Sequence, residues 1–440
     1  MRRLACLVLC CVGLVAQGPL SSAQKASLAD LGTRFWKARP KTAFDVWDPA
    51  VRQALMTEAE KFGPVPDGAL GETVEILFKP AAKFGPRIEN DSKPRIATPY
   101  GEAKLIVRGQ GGKKKGLVVG LHGGGEGAGD MGEPAGTWRL PNCIGMYPQG
   151  IKLVHDTWNT VHGEKFILTL IEIAKTQYAI DPDRVYVMGF SMGGTGSWFM
   201  AGRHPDLFAG AAPCAGVLMA QPKSQLWKKE EVQAVAHGLV PNIRNLAMWS
   251  FIGTKDDRCM PGTFLFVADM LADLKKADSD GYGLWNFKTI PGLGHAMPPG
   301  EPQACFKFLE AQRRDAFPKK IVWEYATEPF PQPDAGEPTT RHQKRFFYWL
   351  QCAAPHDRQT AVATRDGNQF TLDVDGDRAN NKGFSILLSP KMIDPKQDVV
   401  VKVGETEVYR GKPESSLRTV LETLDARCDT TLVFDRRVDL

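Results

Sequence analysis

Between residues 72 and 320 the chain alternates short β-branched and aromatic runs with longer stretches of helical period. The strand-like runs are "TVEILFKP", "AKLIVRG", "GLVVGLHGGG", "RVYVMG", "FAGAAPCAG", "LAMWSFIG" and "LWNFKTIPG". Helical stretches lie between them. In "GEKFILTLIEIAKTQY" the residues Phe166, Leu170, Ile173 and Ala174 share one face, and "GGTGSWFMAGRH" and a segment near 262–276 follow the same period. Such alternation over roughly 200 residues predicts a mostly parallel sheet with helices on both faces, an α/β architecture. Residues 24 to about 70 read as helical, and "DPAVRQALMTEAEKFG" opens on a cap and a first-turn proline, Asp48-Pro49, and stops at Gly63.

Around 318–340 the texture changes to the proline- and acid-rich "FPKKIVWEYATEPFPQPDAGEPTT". The segments beyond it are short and evenly spaced: "KRFFYWLQ", "TAVATRD", "NQFTLDVDG", "GFSILLSP", "DVVVKVG", "ETEVYRG" and "TLVFDRRV", with a helical "SSLRTVLETLDARC" near the end. They predict a small β-sandwich of about 100 residues. The expected divisions are a leader at 1–23, a helical extension with a first strand at 24–95, an α/β domain at 96–318 and a β-sandwich-like module at 319–440.

Composition narrows this little: 43% of the 440 residues are hydrophobic and 24% charged, ordinary for a globular chain. The net charge of +5 is too small and dispersed to imply a nucleic-acid partner. The compact basic run Lys113-Lys114-Lys115 reads as a solvated hairpin turn. The N-terminus changes the picture more. Arg2 and Arg3, an apolar stretch Leu4–Ala16 and the small residues Ser21-Ser22-Ala23 read as an export signal cleaved after Ala23. About 13 apolar residues are too few to span a bilayer. Beyond the leader six cysteines remain, Cys143, Cys214, Cys259, Cys305, Cys352 and Cys428, so disulfides are expected in an oxidising compartment.

The candidate chemistry gathers around "RVYVMGFSMGGTGSW". The stretch lacks the spacing of a dinucleotide-binding glycine loop and the lysine of a phosphate loop. It does fit a G-x-S-x-G turn between a strand and a helix, which lifts Ser191 above the sheet. A serine hydroxyl needs a base. Of eight histidines, His122, His155, His162 and His204 lie before or close after the serine, His237 sits at a helix end, and His342 and His356 lie in the C-terminal module. His295, in "IPGLGHAMPPG", follows a strand and falls in a loop able to reach across. An acid after "LAMWSFIG" completes the order Ser191, Asp256, His295, with Asp257 as the alternative acid. Gly123 or Gly124 in "LHGGGEGAGD", together with Met192, are the expected oxyanion donors, and His122 braces that loop. Trp138, Trp158 and Met297 are candidate substrate-binding residues.

The stretches "VVGLHGGG", "YAIDPDRVYVMGFSMGGTGSWFMAGRHPDLFAGAAPCAG", "FIGTKDD" and "IPGLGH" resemble a known group. They are similar to secreted α/β-hydrolase esterases of the polyhydroxybutyrate depolymerase, feruloyl esterase and dienelactone hydrolase-like kind, relatives of the prolyl-oligopeptidase-like hydrolases. The likeness covers roughly residues 100–315. It implies an α/β-hydrolase fold and ester hydrolysis with Ser191 as nucleophile, His295 as base and Asp256 as acid. The glycine-rich "HGGGEGAGD" departs from many members and leaves the second oxyanion donor open. The tail "GFSILLSPKMIDPKQDVVVKVGETEVYRG" resembles a β-module carried by many exported hydrolases.

Two rival readings remain: a serine peptidase using the same triad, and a polysaccharide binder whose aromatics in "KRFFYWLQ" stack on sugars. "DVDGDRANN" fails as a calcium loop because Arg378 and Phe384 stand where glycine and glutamate are needed. The chemistry calls for no metal or organic cofactor and for a small-molecule or polymer-linked ester as partner.

Overall fold

The computed structural model describes residues 18–89, 92, 94–109, 115–124, 129–151, 157–218, 236–326, 343–375 and 381–440. The apolar leader stretch, Lys113 and Lys114, His155, most of the acid-rich linker with His342, and residues 376–380 of the rejected calcium loop lie outside them.

Strands β1 (Arg95–Thr98), β2 (Gly101–Arg108), β3 (Gly116–Leu121), β4 (Cys143–Pro148), β5 (Val185–Phe190), β6 (Gly210–Cys214), β7 (Ala247–Gly253) and β8 (Trp285–Ile290) form one sheet in the order β1-β2-β4-β3-β5-β6-β7-β8. From β4 to β8 all neighbours are parallel, while β1, β2 and β4 pair antiparallel. This is the α/β-hydrolase fold. The alternation of side chains along each strand explains its two covered faces. Leu117, Val119, Val185 and Val187 pack with α6 (Val161–Gln177) and α7 (Met192–Arg203), whereas Val118, Tyr186 and Met188 pack with Trp138 and Leu309 on the other side. On that second side lie α5 (Gly132–Thr137) and α9 (Glu301–Glu310), and α8 (Pro261–Ala277) bridges β7 to β8.

Several expectations need correction. "TVEILFKP" is helical: α3 (Leu70–Phe78), which the short α4 (Ala81–Phe84) follows, buries Leu70, Thr73, Val74 and Leu77, an i, i+3, i+4, i+7 set that outweighs its β-branched content. The expected hairpin turn at Lys113–Lys115 lies mostly outside the described residues, and the strands on either side of it, β2 and β3, do not pair with each other because β4 lies between them. All six cysteines beyond the leader are free thiols, and five of them are buried. The structure does not test the expected cleavage after Ala23; that bond lies in the first turn of α1 (Ser22–Ala38), whose capping box joins Ser21 and Gln24 and whose start packs the buried Leu20.

The C-terminal strands build two further sheets. β9 (Lys320–Glu324), β12 (Thr360–Asp366), β13 (Gln369–Val374), β15 (Val399–Val403) and β16 (Thr406–Gly411) form one. β10 (Phe346–Phe347), β11 (Leu350–Cys352), β14 (Phe384–Leu388) and β17 (Arg436–Asp439) form the other. They share one core, in which Trp323 stacks on Phe347 across the sheets at 5.4 Å. Phe347, Tyr348 and Trp349 of "KRFFYWLQ" are at most 1% exposed, so they pack the core and offer no face to a sugar.

The hydrophobic clusters cross the divisions expected from texture. Leu417, Val420, Leu421 and Leu424 of α10 (Leu417–Arg427) pack with α1, α2 (Pro49–Lys61) and α3 rather than with the β-sandwich. Buried ion pairs reinforce the junction. Asp429 accepts from Lys175 at 2.7 Å and Arg314 at 3.0 Å, and Arg39 joins Glu172 to Asp425.

Candidate active site

The parallel strands point their C-terminal ends to one edge, the edge where α/β sheets gather ligands and reactive groups. Register aligns two of these ends directly, pairing Leu121 with Gly189, and a third strand pairs Phe190 with Cys214. Ser191 therefore follows β5 at the level where His122 and Gly123 follow β3.

The turn at Ser191 is tight. Its backbone has φ 59° and ψ −122°, a conformation that costs a non-glycine residue about 1–3 kcal/mol. The surroundings impose it: Ser191 N donates to Cys214 O at 3.0 Å, and Thr195 N donates back to Ser191 O at 2.9 Å. The two glycines of the motif make the turn sterically possible. A Cβ on Gly189 would overlap the backbone of Gly193, and one on Gly193 would overlap the Leu121 carbonyl.

Three side chains form a relay across this edge. The Ser191 hydroxyl lies 2.8 Å from His295 Nε2, and His295 Nδ1 lies 2.8 Å from Asp256 Oδ2. With Nδ1–H donating to the carboxylate, Nε2 is left to accept the serine proton. The second carboxylate oxygen, Oδ1, accepts the amides of Arg258 at 2.9 Å and Cys259 at 2.8 Å. Burial pushes the Asp256 carboxyl up, but these hydrogen bonds hold it below its ordinary value, so it stays ionised. The Asp256 side chain is fully buried and Asp257 is exposed, so the imidazole meets only the former. Phe190 packs on the His295 ring at 4.9 Å between centroids.

The oxyanion candidates surround the serine. A Cβ on Gly123 would stand 3.6 Å from Ser191 Cβ, and one on Gly124 would stand 3.9 Å from Met192 Cβ. Met192 opens α7, so its amide has no acceptor within the helix. The Gly123 amide also faces the carboxylate of Glu133 on α5, which makes Gly124 and Met192 the less encumbered pair. His122 braces the glycine loop, as the residue pattern suggests. Gly150 N donates to His122 Nε2 at 3.0 Å, which leaves Nδ1–H to donate to Gly123 O at 2.8 Å. Burial lowers the His122 pKa and so favours this neutral tautomer.

The three expected substrate-binding residues separate. Trp138 and Trp158 have no exposed surface, so neither presents a face to a substrate. Trp138 sits in the core beside α9, 6.5 Å from the Phe306 ring. Trp158 has a different task, because its indole Nε1 donates to His122 O at 3.0 Å and its ring meets His122 edge-on at 4.8 Å. Met297 alone stays partly exposed, two residues beyond His295. Sequence reasoning missed the Arg258 and Cys259 amides and the Phe190 ring, because backbone donors and stacking leave no mark in residue type.

Comparison with known proteins places these residues in context. A family model described as "Putative esterase" matches residues 151–283, which include Ser191 and Asp256. The chain is 48% identical over 50 residues to poly(3-hydroxyalkanoate) depolymerase C of Paucimonas lemoignei, a match spanning 11% of this chain and 12% of that protein. It is 51% identical over 43 residues to a protein of Nocardia uniformis subsp. tsuyamanensis named "Putative esterase NocK", covering 10% of this chain and 12% of that one. Among solved structures, a thermostable esterase aligns with TM-score 0.37 and 21% identity over 50% of this chain and 63% of its own. The chain thus spans about an eighth of the length of the curated relatives it matches.

Proposed function

We propose that the protein is a serine carboxylic-ester hydrolase working through an acyl-enzyme. The observation that carries this reading is the continuous relay Ser191–His295–Asp256, with both contacts at 2.8 Å. Ser191 Oγ attacks the ester carbonyl carbon while His295 Nε2 takes its proton. The carbonyl π electrons move to oxygen, and the oxyanion is held by the Met192 amide with that of Gly124 or Gly123. Collapse of the tetrahedral species expels the alcohol, which receives the proton from His295. Water then repeats the sequence with His295 as base, releasing the acid and restoring the hydroxyl. Asp256 keeps Nδ1 protonated and stabilises the imidazolium that forms. Loss of one oxyanion donor costs about 100- to 1,000-fold in comparable sites.

Export belongs to the same proposal, supported by Arg2, Arg3 and the apolar run that follows. N-terminal sequencing of the mature protein tests it and locates the cut relative to Ser21. Among the described residues no helix is long and apolar enough to cross a membrane.

The decisive experiment is labelling with a fluorophosphonate followed by peptide mass analysis. The adduct is expected on Ser191, and Ser191→Ala is expected to abolish p-nitrophenyl acetate hydrolysis while leaving the melting temperature within a few degrees. Unchanged turnover in that variant would sink the assignment. A panel of acetyl, feruloyl and hydroxyalkanoate esters then identifies the acyl group.

A further inference from the structure

A cavity of about 640 Å³ opens where the N-terminal helices, α6, the turn 205–207, β10 and the end of α10 meet. None of the relay residues lines it. Its size is that of a small-molecule site, yet its wall is charged.

The carboxylates of this wall are already engaged. Glu164 Oε1 accepts from Arg203 and His204, both at 2.7 Å. Glu172 receives the two ends of the Arg39 guanidinium at 2.8 and 2.9 Å. Asp425 takes donors from Arg39, Arg52 and Trp47, and Asp206 pairs with Lys344. The cations are not matched in the same way. The Arg427 side chain is 3% exposed, its Nη1 has no acceptor, and its Nε stands 3.6 Å from Asp206. Phe346 and Phe434 lie against that guanidinium at 5.2 and 5.8 Å but supply no oxygen. Lys165 lines the same cavity and, among the described residues, its ammonium has no acceptor. Around the inner end the three cations Arg203, Lys344 and Arg427 stand at ion-pair distance from two carboxylates, Glu164 and Asp206, while Asp429, which also attracts Arg427, is already paired with Lys175 and Arg314. One positive charge is left over in a dry setting, where a missing counter-ion is most costly. Burial accordingly pushes the Lys344 ammonium down to about 8 and the Arg427 guanidinium down to about 10.

We propose that this cavity binds a small oxyanion, a carboxylate or phosphate group on a compact body, received by the donors that Arg427, Lys344 and Lys165 leave idle and by the exposed Arg345 on the same wall. The engaged carboxylates disfavour a cationic ligand, and a neutral one would leave the surplus charge unanswered. The site is separate from the Ser191 relay and does not depend on the esterase reading.

Isothermal titration of the full-length protein with inorganic phosphate and with glucuronate, at ionic strength held constant with sodium chloride, tests this. Saturable one-site binding of at least one of them is expected, and which one binds separates a phosphate from a sugar-acid source. Lys165→Met and Arg345→Met change only wall residues that are partly or fully exposed. Each is expected to weaken binding about tenfold at an unchanged melting temperature. Arg345 is exposed, so its variant keeps the test valid if the other folds poorly. No saturable binding of either anion, or binding that survives both substitutions at wild-type affinity, would overturn the proposal.

Discussion

Two buried polar clusters in this protein are built to opposite ends. At Asp256 a carboxylate meets one imidazole and two backbone amides, and the imidazole in turn meets a serine on a strained turn. At Asp429 a carboxylate meets Lys175 and Arg314, the amides of Thr431 and Leu432, and the Thr431 hydroxyl. The first cluster leaves one proton position movable. The second is held by two buried cations and by groups of its own turn, and it locks α6, the segment that follows α9 and the C-terminal segment together. A buried carboxylate can therefore hold an imidazole that is free to exchange a proton or hold permanent cations that tie elements together, and the kind of partner tells which.

That contrast can be broken from either side. The largest effect is expected at Asp256→Asn, where a carboxamide presents the wrong hydrogen-bond pattern to His295. Ester turnover should fall about 10⁴-fold with stability nearly intact. Asp257→Asn, on the exposed neighbour, should stay within about twofold. Equal losses in the two would mean that the relay runs through neither. Next in size, Asp429→Ala takes the paired carboxylate away from the buried Lys175 and leaves Arg314 with Asp183 alone. Chemical denaturation should show a loss of about 3–5 kcal/mol, with specific activity of the remaining folded fraction unchanged. An activity loss without destabilisation would erase the distinction between the clusters.

A smaller effect sharpens the catalytic side. Trp158→Phe keeps a ring in place but removes the indole donor to His122 O. A lost hydrogen bond of about 1 kcal/mol, expressed at the glycine loop proposed to hold the oxyanion, should lower kcat roughly fivefold and leave KM nearly unchanged. A change in KM alone would assign Trp158 to ground-state binding instead.

The smallest effect concerns acid on the junction side. Burial, assisted by the nearby Lys344 ammonium, lowers the His204 pKa to about 4, against the pull of Glu164. The folded state thus keeps this histidine neutral where the unfolded chain would protonate it. Its contribution is complete above the ordinary value of about 6.5 and is lost as pH falls from there toward about 4. His204→Gln should flatten the melting-temperature profile across that window, and a profile with wild-type slope would show that other groups set it.

Much of the relay was legible in the chain because its elements are local. A G-x-S-x-G turn after a β-branched run, an acid after the next long strand and a histidine after the last are each readable from a dozen residues. The preference for Asp256 over Asp257 rested on position, and the burial of one with exposure of the other gives it a physical basis. Trp158 was misread as a substrate contact, since an aromatic before a helix looks alike whether its face meets solvent or a neighbouring loop. "TVEILFKP" forms a helix because β-branched residues favour strands only when no larger surface asks for helical period, and α1 supplies such a surface, with Trp36 Nε1 donating to Leu77 O at 2.8 Å.

The order of strands and helices, and with it the side of the sheet where the reactive groups gather, follows from hydrophobic period and turn residues, which act between near neighbours. Which carboxylate is buried, which tryptophan holds a loop and which cations are left over in a cavity depend on atoms far apart in sequence. Only packing brings them to within 3 or 4 Å, where desolvation makes each hydrogen bond and each unmatched charge count.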